Sequence, residues 1–290
     1  MCLFIMAQIV VLSFSLPVQG QNQQQISVHT WVYLEGSSVT TQGSESYSMP
    51  MRTTLNNSKT LPGQCFTDET GLHYFPAGQP YNKPPWNYTG PEGDLFDSYG
   101  NPSQGQAGYP TTVTDWVLVS LRSAPDGENL CRKAGLLHSD GTVEFDGLFI
   151  SGELENYSSF YIVIEHRNHL IVMSDTAVNA VNGTISYDFR SHQSYIDDPF
   201  NFGAVGQKEL QGFPGIFAMY AGNSDQVKTG NELPGDRTQI NGNDRSNWDM
   251  HNGTVANYCC GDYNLNCDCN YNDQASMDFN NGLFSSVPEE

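Results

Sequence analysis

The sequence predicts a mainly β chain: an antiparallel β-sandwich followed by a small module of loop–helix units. Three observations predict it. Segments rich in β-branched and aromatic residues recur between residues 26 and 195, separated by Gly, Asn and Asp turns. No segment of that stretch repeats its apolar residues at the helical period. From residue 212 to 290 the pattern changes to an internal repeat of short helices behind Asn/Asp-rich loops.

Taken in order, Met1 to Gly20 is uncharged and apolar, too short for a comfortable membrane span. It reads as a secretory leader over residues 1–20, cleaved near Gly20. The sandwich domain is expected over residues 26–195. Ser27 to Gly36 alternates as a strand. Leu61 to Pro110, full of Gly, Pro, Asn and Tyr, reads as long ordered loops. Val113–Arg122 is a buried strand. Arg132–Leu137 and Thr142–Phe145 are two more, joined through Ser139-Asp140-Gly141. Ser159–Met173 is the longest apolar run and reads as one central strand, and Thr184–Phe189 adds another.

The C-terminal stretch carries the most specific signal. Asp262-Tyr-Asn264-Leu-Asn266-Cys267-Asp268-Cys269-Asn270-Tyr-Asn272-Asp273 places oxygen-bearing side chains at loop positions 1, 3, 5, 7, 9, 11 and 12. Ca²⁺ is a hard cation that takes six to eight oxygens, and a tight loop with a ligand at every second residue wraps it. Asp262, Asn264, Asn266, Asp268, Asn270 and Asp273 are the candidate ligands. Two departures stand out: Cys267 occupies the sharp turn where Gly is usual, and the closing acid is Asp rather than Glu. Asn241 to Gly253 matches Asn270 to Gly282 at an offset of 29, with Trp248 and Met277 as the large apolar residue and Asn-Gly as the C-cap. At that offset Leu233, Gly235 and Arg237 fall where Asp262, Asn264 and Asn266 stand. The first loop therefore reads as degenerate, with Asp236, Asn241, Asn243 and Asp244 as its candidate ligands.

The formal net charge is −20. The last hundred residues hold 14 Asp/Glu against 4 Lys/Arg, a net of −10. No basic patch offsets this, which argues against nucleic acid or an anionic membrane as partner and suits a binder of divalent cations. Seven cysteines occur, and Cys2 belongs to the leader. The other six, Cys65, Cys131, Cys259, Cys260, Cys267 and Cys269, are an even number in an exported chain and favour disulfides. Cys259 or Cys260 would pair with Cys267 or Cys269, leaving Cys65 with Cys131; the cluster of four also has the composition of a zinc site.

No Gly-x-Ser-x-Gly elbow, His-Glu-x-x-His helix or phosphate loop is present, so no catalytic residue is assigned and no enzyme is expected. His166 and His169, three apart on one strand, would face opposite sides, one buried and one exposed. Asp115 and Glu165 are a conceivable carboxylate pair. Trp86, Tyr81 and Tyr88 are candidate glycan contacts in the long loops.

Tyr220 to Pro288 resembles a dockerin-type calcium module. Trp31–Gly36, Met51–Leu55, Asp115–Arg122, Ala134–Gly141 and Ile164–Leu170, with the closing Ser286-Val287-Pro288-Glu289, are similar to a family of exported Bacteroidota surface proteins. The resemblance implies place and architecture, a structural or adhesive protein exported to the cell surface; with the calcium loop and the cysteine count, the expectation is a secreted, calcium- and disulfide-stabilised protein, although the four clustered cysteines depart from the family. Such a chain would self-associate into a fibre or bind other surface proteins. A carbohydrate-binding module is the alternative expectation, and a secreted hydrolase a more remote one.

Overall fold

A computed structural model describes residues 24–40, 46–92, 108–225 and 238–288; the leader lies outside the described residues. The chain is mainly β. Its strands are β1 (Gln24–Trp31), β2 (Cys65–Asp68), β3 (Gly71–Tyr74), β4 (Val113–Arg122), β5 (Asn129–His138), β6 (Val143–Glu144), β7 (Phe149–Ser151), β8 (Ser159–His166), β9 (His169–Met173), β10 (Val178–Asn179), β11 (Thr184–Asp188), β12 (Lys208–Glu209) and β13 (Phe217–Ala218). The larger sheet runs β10-β8-β4-β5-β6, with β9 also on β8; the smaller runs β11-β1-β7. Pairing is antiparallel throughout these sheets except between β1 and β11, which run parallel. β12 with β13 and β2 with β3 form two small antiparallel ribbons, the latter inside the stretch read as loops.

One core fills the space between the two main sheets. Ile26 and Val28 of β1, Ile185 of β11 and Phe149 of β7 meet Trp116, Leu118, Leu136 and Ile162 of the larger sheet. β4 is buried at every position, as expected of a central strand whose β-branched run has no polar face. Among the described residues no helix is long and apolar enough to cross a membrane.

The run Ser159–Met173 is not a single strand. It turns back on itself at Arg167-Asn168, and β8 and β9 pair with His166 opposite His169. This hairpin tip points at the C-terminal module. The module shares its packing with the sandwich: Leu265 and Cys267 join the main core, and Leu170 of β9 joins the module core of Trp248, Tyr263, Cys269 and Met277.

Candidate metal-binding loop and its buried anchor

The duplicated unit folds as two helices of ten residues, Gly242–His251 and Tyr271–Asn280. Each begins with a reciprocal capping box. Asn241 and Asn270 accept from the backbone two residues on, while Asp244 and Asp273 reach back to the N-cap amide. Gly253 and Gly282 follow the Asn C-caps at φ +89° and +90°, a conformation that favours Gly. The strand-like edges pair as a pseudo-twofold. Gly253 N donates to Cys269 O and Cys269 N to Thr254 O; in the other half Gly282 N donates to Ile240 O and Ile240 N to Leu283 O. Trp248 and Met277 bury into the core between the halves.

In the second loop each acidic residue organises backbone. Asp262 accepts from Asn266 N and Cys267 N, both at 2.9 Å. Asp273 accepts from Asn264 N at 3.1 Å and Asn270 N at 2.9 Å. Asn266 and Asn270 side chains accept from Asp268 N and Asn272 N, and Asp268 accepts from Ala256 N. Cys267 takes φ +76°, so the sharp turn is made despite the absence of Gly. Its side chain is buried in the sandwich core, with Sγ 3.4 Å from Thr60 Oγ1. Burial pushes Asp273 up to about 7 and Asp262 well above the carboxylate range, Arg167 opposing and the Asp273 charge adding to the rise for Asp262. Two carboxylates are therefore held dry and close. Asn264 lies beside them, 6% exposed, and its Oδ1 has no hydrogen-bond partner. A cavity of about 110 Å³ opens against Asn264, Asn266, Asn272, Ser276 and Arg52. No cluster of three or more His, Cys, Asp or Glu in metal-holding geometry occurs among the described residues.

The residues that the constant offset assigns to the first loop, Leu233, Gly235 and Arg237, lie outside the described residues. Asp236 lies outside the described residues, Asn243 is exposed, and Asn241 is the helix N-cap. Asp244 accepts from Ser224 N, Asp225 N and Asn241 N. This is the pattern Asp273 makes with Tyr263, Asn264 and Asn270. The counterparts of Tyr263 and Asn264 are thus Ser224 and Asp225, earlier than the repeat spacing places them. The Asn-x-Asp run Asn223-Ser224-Asp225 was the overlooked signal. Burial likewise lifts Asp244 to about 7.

All six cysteines are unbridged in the structure. The expected Cys65–Cys131 bridge is absent, and Cys131 Sγ approaches Ile150 O instead. Of the C-terminal four, Cys259 and Cys269 touch, and the hydrogen bond from the Cys269 thiol lowers Cys259, with Arg167 assisting. Cys260 Sγ lies 3.9 Å from His251 Nδ1, and Cys267 faces away into the sandwich.

A polar network centred on the buried Asp115, His166, Arg167 and Asn168 anchors this module. Asp115 accepts from Arg167 Nε and from His166 Nε2, both at 3.1 Å, and from Tyr258 at 2.7 Å. Arg167 also donates to Cys259 O and stacks on the Tyr258 ring, 4.2 Å from its centre. Asn168 donates to Asp262 O at 2.6 Å and to Cys260 O. Burial opposes ionisation of Asp115, but Arg167 and then His166 hold it down at about 2. Of the conceivable carboxylate pair, Asp115 is held by Arg167, His166 and Tyr258, while Glu165 Oε1 accepts from Trp86 Nε1 at 3.0 Å.

Both histidines are buried, which corrects the expectation of one exposed ring; the hairpin turn brings them together edge to face, their rings 80° apart and their Nδ1 atoms 3.0 Å apart. The hydrogen bonds determine the tautomers. Gly36 N donates to His169 Nε2, so His169 carries its proton on Nδ1 and donates it to His166 Nδ1. Neither ring has room for a second proton, and burial lowers both. A histidine lowered in the fold stabilises fully above about pH 6.5 and loses that contribution as pH falls below it, because only the unfolded chain takes the proton. His169→Gln is therefore expected to flatten the loss of stability between pH 6.5 and 5 by up to about 1.4 kcal/mol per pH unit relative to wild type, read from urea midpoints. An unchanged pH slope would contradict the neutral pair.

Gly36 marks the tightest approach. A Cβ there would fall 1.9 Å from Tyr263 O, a backbone atom of the loop. Gly36→Ala is expected to cost about 1–3 kcal/mol by pushing the module off the sandwich, measured by thermal unfolding.

The glycan candidates do not form an open platform. Tyr81 is fully buried and donates to Trp116 O, Trp86 is 8% exposed, and Tyr88 is half-buried against Glu92 and Arg132. They pack the loops onto the core.

No protein-family profile matches the chain, and no curated protein matches it. Among solved structures it is similar to a chain of a type II cohesin–X–dockerin complex from Acetivibrio cellulolyticus. The identity is 15% and the TM-score 0.32, over 59% of this chain and 83% of that one.

Proposed function

We propose that the chain is a secreted, non-enzymatic structural or adhesive protein of the cell surface, whose dockerin-like C-terminal module is stabilised by calcium. The carrying observation is the second loop: two buried carboxylates, Asp262 and Asp273, with the unpartnered buried Oδ1 of Asn264 between their hydrogen-bond networks. An orphaned acceptor in a dry acidic loop costs about 1–3 kcal/mol, and a hard cation is the partner that offsets both the orphan and the carboxylate burial. Asp262, Asn264, Asn266, Asp268 and Asp273 would hold it, and the ion would supply folding free energy rather than chemistry. A Cys259–Cys269 disulfide would add rigidity where these two sulfurs meet.

Assembly by strand addition is supported by β1. Ser27 N and Trp31 O are bonded to the β11 side, whereas β7 pairs only with Gln24–Ile26 and Val32 N reaches Gly141 O. Between these, Val28 and Thr30 face a groove of about 290 Å³ lined by β1, Thr142, Val143, Phe145 and Gly147. An extended segment of a neighbouring copy fits that chemistry, adding main-chain hydrogen bonds at the short stretch of β1 between its β7 pairing and its contact with Gly141. Negative-stain microscopy and light scattering of the secreted material test this. Linear oligomers are expected, reduced by Val28→Pro, and monodisperse monomers with or without calcium would overturn it.

A further inference from the structure

Beneath the second repeat helix, three buried side chains that the calcium reading does not use meet at one carboxylate. Glu35 Oε1 accepts from Lys208 Nζ at 2.7 Å, and Glu35 Oε2 accepts from Asn280 Nδ2 at 2.7 Å. All three residues are less than a tenth exposed. Asn280 Nδ2 spends its other hydrogen on Ala221 O at 2.9 Å, which fixes the amide with its nitrogen toward Glu35. Aromatic rings enclose the amine: the centre of Phe279 lies 4.5 Å from Nζ, with Tyr47 and Tyr220 within 6 Å. Tyr47 and Ala221 N supply further hydrogen bonds to the carboxylate.

We propose that Lys208 and Asn280 join in an autocatalytic intramolecular isopeptide bond, with Glu35 as the proton-transfer group. A lysine amine, an amide carbon and a carboxylate in contact with both nitrogens are the complete set of parts for amide exchange. Proton transfer along the Lys208–Glu35 hydrogen bond yields a neutral amine, the nucleophilic form. Its lone pair attacks Asn280 Cγ and forms the Nζ–Cγ bond. Glu35 hands the proton it took from Lys208 to Nδ2, the Cγ–Nδ2 bond breaks, and ammonia departs. The remaining extra proton on Nζ leaves through Glu35 with the ammonia, as ammonium. The balance is an alkylammonium plus a primary amide giving a secondary amide plus ammonium, with no oxidant, metal or cofactor. One carboxylate that touches the nucleophile and the leaving group serves as base and then acid, and burial keeps the three groups in register before reaction.

The position gives the bond a purpose. Lys208 belongs to β12, which leads out of the sandwich, and Asn280 closes the second helix. A cross-link there encloses the duplicated module in a covalent loop, so that it cannot be peeled from the sandwich. The proposal is independent of calcium: Glu35, Lys208 and Asn280 are not among the candidate ligands.

Intact-mass spectrometry of the reduced, folded mature chain, followed by proteolytic mapping, tests it. The expected mass is that of the sequence less one ammonia, with Lys208 and Asn280 recovered in one branched peptide. Lys208→Arg, which keeps the cation but removes the nucleophile, is expected to restore the full mass, as is Glu35→Gln; circular dichroism shows that each is folded. A wild-type chain at full mass, with Lys208 and Asn280 in separate linear peptides, would overturn the proposal. So would an ammonia loss that maps to a succinimide at Asn182-Gly183, Asn241-Gly242, Asn252-Gly253 or Asn281-Gly282.

Discussion

Arg167→Ala is expected to destabilise the protein by about 3–5 kcal/mol, the cost of stranding a buried charge. Asp115 lies at 0% exposure on the central strand β4, and Arg167 is its only Lys or Arg ion-pair partner among the described residues. Without the guanidinium, Asp115 retains hydrogen bonds from His166, Tyr258 and Trp116 N but no compensating positive charge. The same substitution removes the donor to Cys259 O and the cation over Tyr258. Because those partners belong to the module and Asp115 to the sandwich, both halves should lose cooperativity together. Arg167→Lys is expected to recover little, since one ammonium on a flexible stem cannot pair, donate and stack at once. Denaturant unfolding monitored by Trp fluorescence measures the change; a loss under about 1 kcal/mol would show that the network is dispensable.

Trp248→Ala is expected to cost about 3–5 kcal/mol through the cavity left in a small core. Trp248 packs with Met277, Tyr263, Ile240 and Cys269, and its Nε1 donates to Asn270 O, the N-cap of the other helix. The truncation therefore empties the core shared by the two halves and releases a cap. Met277→Ala, at the equivalent position of the second helix, is expected to lose about 2–5 kcal/mol. If either change left the unfolding midpoint in place, the two helices would not be one packed unit.

These contacts show which parts of the chain could be read from its residues. Val113–Arg122 was legible as a buried strand because apolar and β-branched residues dominate it; that Asp115, Ser120 and Arg122 are buried with the rest was not. The helix pair was legible because caps are local chemistry: Asn N-cap, Asp at the third helical position and Asn-Gly at the end specify start and stop without tertiary help. The hairpin at Arg167-Asn168 was not. Five polar residues, Glu165 to His169, interrupt a long apolar run without Gly or Pro, and only the partner groups on Tyr258 to Asp262 explain why Arg and Asn are buried there. In the first half the amides that bond Asp244, as Tyr263 and Asn264 bond Asp273, come from Ser224 and Asp225, which a fixed offset of 29 does not reach. Trp86 and Tyr81 looked like surface aromatics because Pro- and Asn-rich loops usually lie outside, yet they hydrogen-bond into the core through Glu165 and Trp116. The triad of Glu35, Lys208 and Asn280 spans nearly the whole sequence, so no local pattern could have announced it.

Calcium titration of the mature chain and its Asn264→Ala variant tests the calcium reading most directly. In chelator, Asn264→Ala should be neutral or slightly stabilising, because it removes a buried acceptor with no partner. At calcium one hundred times its dissociation constant, wild type should gain about 2.7 kcal/mol. That gain raises its melting temperature by roughly 5–10 °C, and the variant should gain markedly less. Calorimetry that finds no heat of binding, and a wild-type melting temperature indifferent to calcium and chelator, would contradict the reading of Asp262–Asp273 as a metal-stabilised loop.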